Sequence, residues 1–192
     1  MQTDKLEQWL AAEDAQRQLN AGGPGPGVAR QEQVATLDGL AALQAMLRGE
    51  LPYPPISRSL DFMLIEVSHG RAVFQGTPGL AHYNPLGSVH GGWFATLLDS
   101  ALGCSVHAAL PAGKGYTTLE LKLNLIRALT TAVPRVRAEG SVIHVGGQTA
   151  TAEARLVGPD GRLYAHGTTT CLVFDHRPAR SPSPAALPQS QP

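Results

Sequence analysis

The chemistry-bearing stretch of this chain is Asn84-Pro85-Leu86-Gly87-Ser88-Val89-His90-Gly91-Gly92, followed seven residues after Gly92 by Asp99 within an apolar run. A carboxylate in an apolar helix is costly to desolvate unless something uses it. The glycines before it offer bare backbone N–H groups at the positive end of that helix. A base and an oxyanion-type donor in one short segment suit acyl chemistry. The bland alternative is that Asp99 accepts a structural hydrogen bond and the glycines serve a tight turn.

Spacing sharpens the functional reading. Eight residues separate Gly91 from Asp99, about 12 Å along a helix, whereas groups acting on one carbonyl lie about 3 Å from it. If both act on one thioester they come from two subunits, which predicts a homodimer with two equivalent interfacial sites. Around Asp99 the helical neighbours Ala95, Thr96, Leu102 and Gly103 form a ligand-facing groove, and Phe94, Leu97, Leu98 and Ala101 form the core stripe. Cys104 points elsewhere and reads as core. Trp93, Phe94 and Tyr116 are candidates to line an acyl pocket or to fill the core.

Other chemistries lack their residues. There is no Gly-x-Ser-x-Gly nucleophile elbow. No His-Glu-x-x-His and no paired cysteines occur, so no metal and no bound cofactor are expected, and His82, His90 and His107 are a weak signal. Gly22 to Gly27 lacks a flanking strand and a Lys-Ser/Thr, and reads as a linker.

The elements that must position these residues follow from periodicity. A helix is predicted over residues 4–19 with Thr3 as N-cap, then the flexible Gly/Pro linker, then a helix over 37–47. Residues 62–67 and 71–74 read as a hairpin around His69-Gly70, and the Asp99 segment as a buried helix. Strands follow at 117–126, 135–145, 149–157 and 163–174, the first with Leu119, Leu121, Leu123 and Leu125 on one face. This predicts an α+β fold, one long central helix wrapped by an antiparallel sheet of about five to six strands, with an N-terminal helical extension. The domain reading is an extension over 1–31, a core domain over 32–174 and a disordered Pro/Ser/Ala-rich tail over 175–192. Long edge strands favour pairing with a second copy.

Composition bounds the rest. The 192 residues carry a formal net charge of zero and two cysteines, giving no field that favours nucleic acid or an anionic membrane and suiting a cytoplasmic protein with reduced thiols. No signal peptide or membrane span is read from the sequence.

Taken together, Asn84-Pro85-Leu86-Gly87, His90-Gly91-Gly92, Leu98-Asp99-Ser100-Ala101 and the run Thr117 to Arg127 resemble the hotdog-fold acyl-CoA thioesterases of the phenylacetate-degradation (PaaI-like) type, over roughly residues 37–174. The resemblance implies a metal-free thioesterase acting as a homodimer or dimer of dimers. Asp99 would be general base or nucleophile, and the Gly91 N–H would polarise the carbonyl from the neighbouring subunit. Asn84 matches a water-positioning side chain, His90 a support for the loop, and Thr118 a hydroxyl near the carboxylate, with Thr117 as its alternative. Gly92, Thr117 and Arg127 are the substrate-binding candidates. The chain departs from the pattern at Gly147-Gln148, where relatives carry a cation for the CoA phosphates; Arg127, Arg135 and Arg137 are possible substitutes. Other readings are a non-catalytic acyl-CoA sensor, and a dehydratase or hydratase using His107.

Overall fold

In the computed structural model of the chain, residues 2–175 are described; the tail over 175–192 therefore lies outside them, except for Asp175. The helices are α1 (Gln2–Gly22), α2 (Gln31–Val34), α3 (Gly39–Leu47), α4 (Pro55–Ser59) and α5 (Gly91–His107). The strands are β1 (Phe62–Ser68), β2 (Arg71–Gly76), β3 (Lys114–Leu125), β4 (Val136–Val145), β5 (Thr149–Val157) and β6 (Leu163–Asp175). They form one antiparallel sheet in the order β1-β2-β4-β5-β6-β3, with α5 packed across its inner face. This is the predicted α+β layering, a long helix wrapped by six strands.

Apolar periodicity drives that packing. Leu97, Leu98, Ala101, Leu102 and Val106 of α5 are wholly buried against β2, β4 and β5, each large side chain contributing about 1.5–3 kcal/mol. Gly140 of β4 lets the helix lie on the sheet backbone, since a Cβ there would sit 2.2 Å from the Ala101 carbonyl oxygen. The β1–β2 hairpin turns at Gly70 (φ 69°), a left-handed conformation that favours glycine.

Some local expectations are corrected. Thr3 is not an N-cap but lies within the first turn of α1, which runs from Gln2 to Gly22. The Gly/Pro segment is not a free linker. Gly27 N–H donates to the Tyr53 carbonyl (2.9 Å) and Tyr53 N–H to the Gly25 carbonyl (3.3 Å), and Gly23 packs directly on the Gly49 backbone. The second helix starts two residues later than expected, because the Asp38 side chain caps it by accepting from Ala41 N–H at 2.7 Å.

The N-terminal helix covers the outer face of the sheet at β2 and β4. Trp9 is buried beneath the Arg137 guanidinium (4.6 Å from the ring centroid). Glu13, also buried, accepts hydrogen bonds from Arg17, Arg135 and Gln75. Burial alone would raise the Glu13 pKa, but these three donors outweigh it and hold the carboxyl below its ordinary range. At the opposite sheet edge β3 pairs only with β6 among the described residues, and Leu119 and Leu125 along it are exposed.

Candidate active site

The loop before α5 is a self-bonded turn that presents one donor. The Asn84 side chain holds it, Oδ1 accepting from Leu86 N–H (2.9 Å) and Ser88 N–H (3.3 Å) while Nδ2 donates to Ser88 Oγ (3.2 Å). Val89 N–H donates to the Leu129 carbonyl (2.9 Å) and His90 N–H to the His82 carbonyl (2.7 Å), fixing where the helix begins. His90 is the N-cap, extended at ψ 140°, and its Nδ1 accepts from Gly92 N–H at 2.9 Å. A ring nitrogen that accepts carries no proton, so His90 keeps its hydrogen on Nε2. Of the two glycine donors at this helix end, His90 consumes that of Gly92. The Gly91 N–H finds no acceptor among the described residues. The Gly92 N–H is therefore taken by its own N-cap, unlike the bare donor the sequence suggested, whereas the Gly91 N–H is not.

The carboxylate lies two turns along the same helix. Asp99 is half-buried and its Oδ1 accepts from Thr118 Oγ1 at 3.1 Å. It lines a cavity of about 210 Å³ with Ser100, Gly103 and Cys104 of α5 and with Tyr116 and Thr118 of β3. Phe62 of β1 and Phe74 of β2 close one wall, and Pro54, Ile56 and Ser57 close another.

The choice between the two threonines is made by a β-bulge. Thr118 pairs with Cys171 and Glu120 with Thr170, which leaves Leu119 without a partner. The extra residue reverses the facing of the strand: Tyr116 and Thr118 before it and Leu121 and Leu123 after it all face inward. Leu119 is exposed instead of joining the inward leucines, and Thr117 is exposed on the outer side. Thr117 does not reach Asp99.

Two neighbours of Asp99 also differ from expectation. Leu102 is wholly buried in the core rather than lining the groove, because the sheet curls around that side of α5. Cys104 does line the cavity. It is no nucleophile, since burial pushes its thiol up to about 12, above any range in which thiolate forms at neutral pH. Trp93 and Phe94 are core residues, and of the three aromatic candidates Tyr116 alone reaches the cavity.

The cations sort clearly. Arg137 is bound to Glu66 (2.8 Å) and Gln75 (2.8 Å), and Arg135 to Glu13, so neither is a free phosphate ligand. Arg127 lies exposed just past β3, its N–H on the Tyr164 carbonyl (3.1 Å). Among the described residues no group of three or more His, Cys, Asp or Glu side chains converges.

Within one chain the structure thus brings Asp99 and Thr118 together, and separately Asn84, His90 and Gly91, none of which lines the Asp99 cavity. Sequence reasoning missed Phe62, Phe74, Ile56 and Ser57. Phe62 and Phe74 sit in a hairpin that was legible, but only sheet curvature carries them to α5.

Residues 86–165 match the family model of the thioesterase superfamily. Over that stretch this chain is similar to that superfamily. A protein of Halobacterium salinarum named as an esterase is 38% identical over 86 residues, which are 45% of this chain; the chain spans 56% of that curated relative. Among solved structures, a phenylacetic acid degradation-related protein from Ralstonia eutropha is similar at a TM-score of 0.61 and 29% identity, covering 67% of this chain and 97% of that one. A variant of the phenylacetic acid degradation protein PaaI from Thermus thermophilus is similar at 0.55 and 26%, covering 62% and 97%. These likenesses make the α5-in-sheet layering a hotdog fold. The N-terminal helices, α1 among them, lie outside the matched residues.

Proposed function

We propose that this protein hydrolyses acyl-CoA thioesters to free acid and CoA, in two composite sites of a homodimer. The carrying observation is a half-buried carboxylate lining a mostly apolar cavity and bonded by a threonine hydroxyl, on the same helix as a backbone donor left free at the N-terminus. The match of residues 86–165 to the thioesterase superfamily supports thioester cleavage as the reaction class. About 12 Å of helix separates the two groups in one chain, so the reading takes Gly91 from one subunit and Asp99 from the other. The exposed β3 edge is the surface through which a second copy would complete them.

In the reaction, Gly91 N–H donates to the thioester carbonyl oxygen and stabilises the oxyanion. Asp99 takes a proton from water as the oxygen adds to the carbonyl carbon, or attacks that carbon itself to give a mixed anhydride that water then hydrolyses, the water supplying the proton that the thiolate takes up. Thr118 holds the carboxylate in one rotamer. Asn84 uses one Nδ2 hydrogen in its turn and retains a second with which to orient the water. Collapse of the tetrahedral adduct breaks the C–S bond, and the departing thiolate, a good leaving group, takes up the proton.

Thiol release from a panel of acyl-CoAs tests this, comparing wild type with Asp99→Asn. Turnover that falls by about two to four orders of magnitude in a folded dimeric variant is expected. Tight acyl-CoA binding without release by wild type would refute hydrolysis and favour a sensor.

A further inference from the structure

We propose that Tyr116, seated over Gly103, is the residue that sets the length of the acyl group, limiting it to about seven carbons as a short chain or a single ring. The inference rests on the hydrolase reading for the identity of the ligand, and on the cavity itself for its depth. The Asp99 cavity of one chain, which is partly open to solvent, measures about 210 Å³ and gives the space on this chain's side of the site. A dry cavity of about 150 Å³ accepts benzene, and at about 30 Å³ for each water-sized group the larger volume takes about seven heavy atoms.

Tyr116 takes up part of the lining of that space through a close packing on α5. A Cβ at position 103 would sit 2.8 Å from Tyr116 Oη and 2.9 Å from its Cε2. The phenol ring therefore lies directly on the bare backbone of α5, one turn beyond Asp99. Behind it the His107 ring packs at 5.6 Å between centroids, tilted by 38°, so the phenol cannot swing aside without displacing the end of the helix. The Tyr116 hydroxyl interacts with the Cys104 thiol, and burial pushes the phenol well above its ordinary range, so it stays neutral. Phe62 and Phe74, with ring centroids 5.9 Å apart, line the same cavity. An acyl chain whose carbonyl lies at Asp99 thus runs toward Tyr116 and stops there. The aromatic walls reward each buried methylene by about fourfold in binding, until the chain meets the phenol.

The test pairs kcat/KM for straight-chain acyl-CoAs of about four to about sixteen carbons with calorimetric affinities for non-hydrolysable S-alkyl-CoA thioethers of the same lengths. Wild type is expected to peak near six to eight carbons in both, with a loss of at least about tenfold by twelve. Tyr116→Ala frees on the order of 100 Å³ and moves the peak about three carbons longer. Tyr116→Val should do the same if the alanine variant fails to fold, and Tyr116→Phe, which keeps the ring, should retain the wild-type profile. If wild type releases thiol from no acyl-CoA, the hydrolase reading falls, but the thioether profile still decides the role of Tyr116. Equal affinity of wild type for six and sixteen carbons, no binding of any thioether, or an unmoved peak in the folded small variants would overturn the proposal.

Discussion

Gly91→Pro separates the backbone donor from the fold that carries it. Position 91 is the first residue of α5, where an N–H has no partner within the helix, and proline is favoured there because its φ is already helical. The preceding residue must be extended, and His90 already sits at φ −64°, ψ 140°. The added Cβ meets Leu125 Cδ1 at 3.1 Å, the far end of a side chain that is 54% exposed and able to shift by a few tenths of an ångström. No capping bond is lost, since His90 Nδ1 accepts from Gly92 rather than Gly91. The variant should therefore be as stable as wild type or gain about 0.4–1 kcal/mol from a stiffer unfolded chain. Activity should fall much further. Losing one oxyanion donor costs about two to three orders of magnitude in kcat, and here the ring carbon replaces the donor hydrogen. Gly91→Ala carries the same Cβ contact but keeps the N–H, and should remain within a few-fold of wild type. Urea unfolding, size-exclusion chromatography and steady-state thiol release on the three proteins provide the comparison. A folded, dimeric Gly91→Pro enzyme within about tenfold of wild type would refute the assignment of the Gly91 N–H as the carbonyl donor.

Thr118→Val removes the hydroxyl that holds Asp99 Oδ1 at 3.1 Å while keeping shape and strand propensity. A hydrogen bond to a charged group is worth about 1.5–3 kcal/mol, and half-burial of Asp99 favours the lower figure. Activity should fall about tenfold and stability by about 1.5 kcal/mol, whereas Thr117→Val on the outer face should leave activity unaltered. The depressed Glu13 pKa predicts a pH effect confined to the extension. Its contribution is fully present above the unfolded carboxyl pKa near 4.3 and is lost as pH falls through the lower folded value. Glu13→Gln should flatten the stability of the protein over that acid window in thermal melts and lower its neutral-pH stability by about 3 kcal/mol, the low end for a broken buried pair, since Arg17 and Arg135 keep some solvent. An unchanged acid slope would show that the Glu13 cluster does not anchor α1.

The sequence by itself determined the elements that obey a local period and the groups that carry chemistry. The β1–β2 hairpin, the apolar α5 and the four later strands are all legible in it, because burial on one face repeats every second residue in a strand and every three to four in a helix. Asp99 stood out because a carboxylate in an apolar run violates that pattern, and the Gly91-to-Asp99 spacing implies that one chain is insufficient if both groups act on one carbonyl. Tertiary structure decided what depends on contacts far apart in sequence. A single bulge at Leu119 selected Thr118 over Thr117, and alternation alone cannot reveal an inserted residue. The geometry of the N-cap gave the Gly92 donor to His90 and left that of Gly91 free. The packing of β1 and β2 brought Phe62 and Phe74 onto the Asp99 cavity, while Gly103 let Tyr116 lie directly on α5 beside it. Arg135 and Arg137 looked available for phosphate until the fold placed Glu13, Glu66 and Gln75 against them. A residue's type fixes what it can bond, but the competition for each donor and acceptor is settled only when the chain is packed.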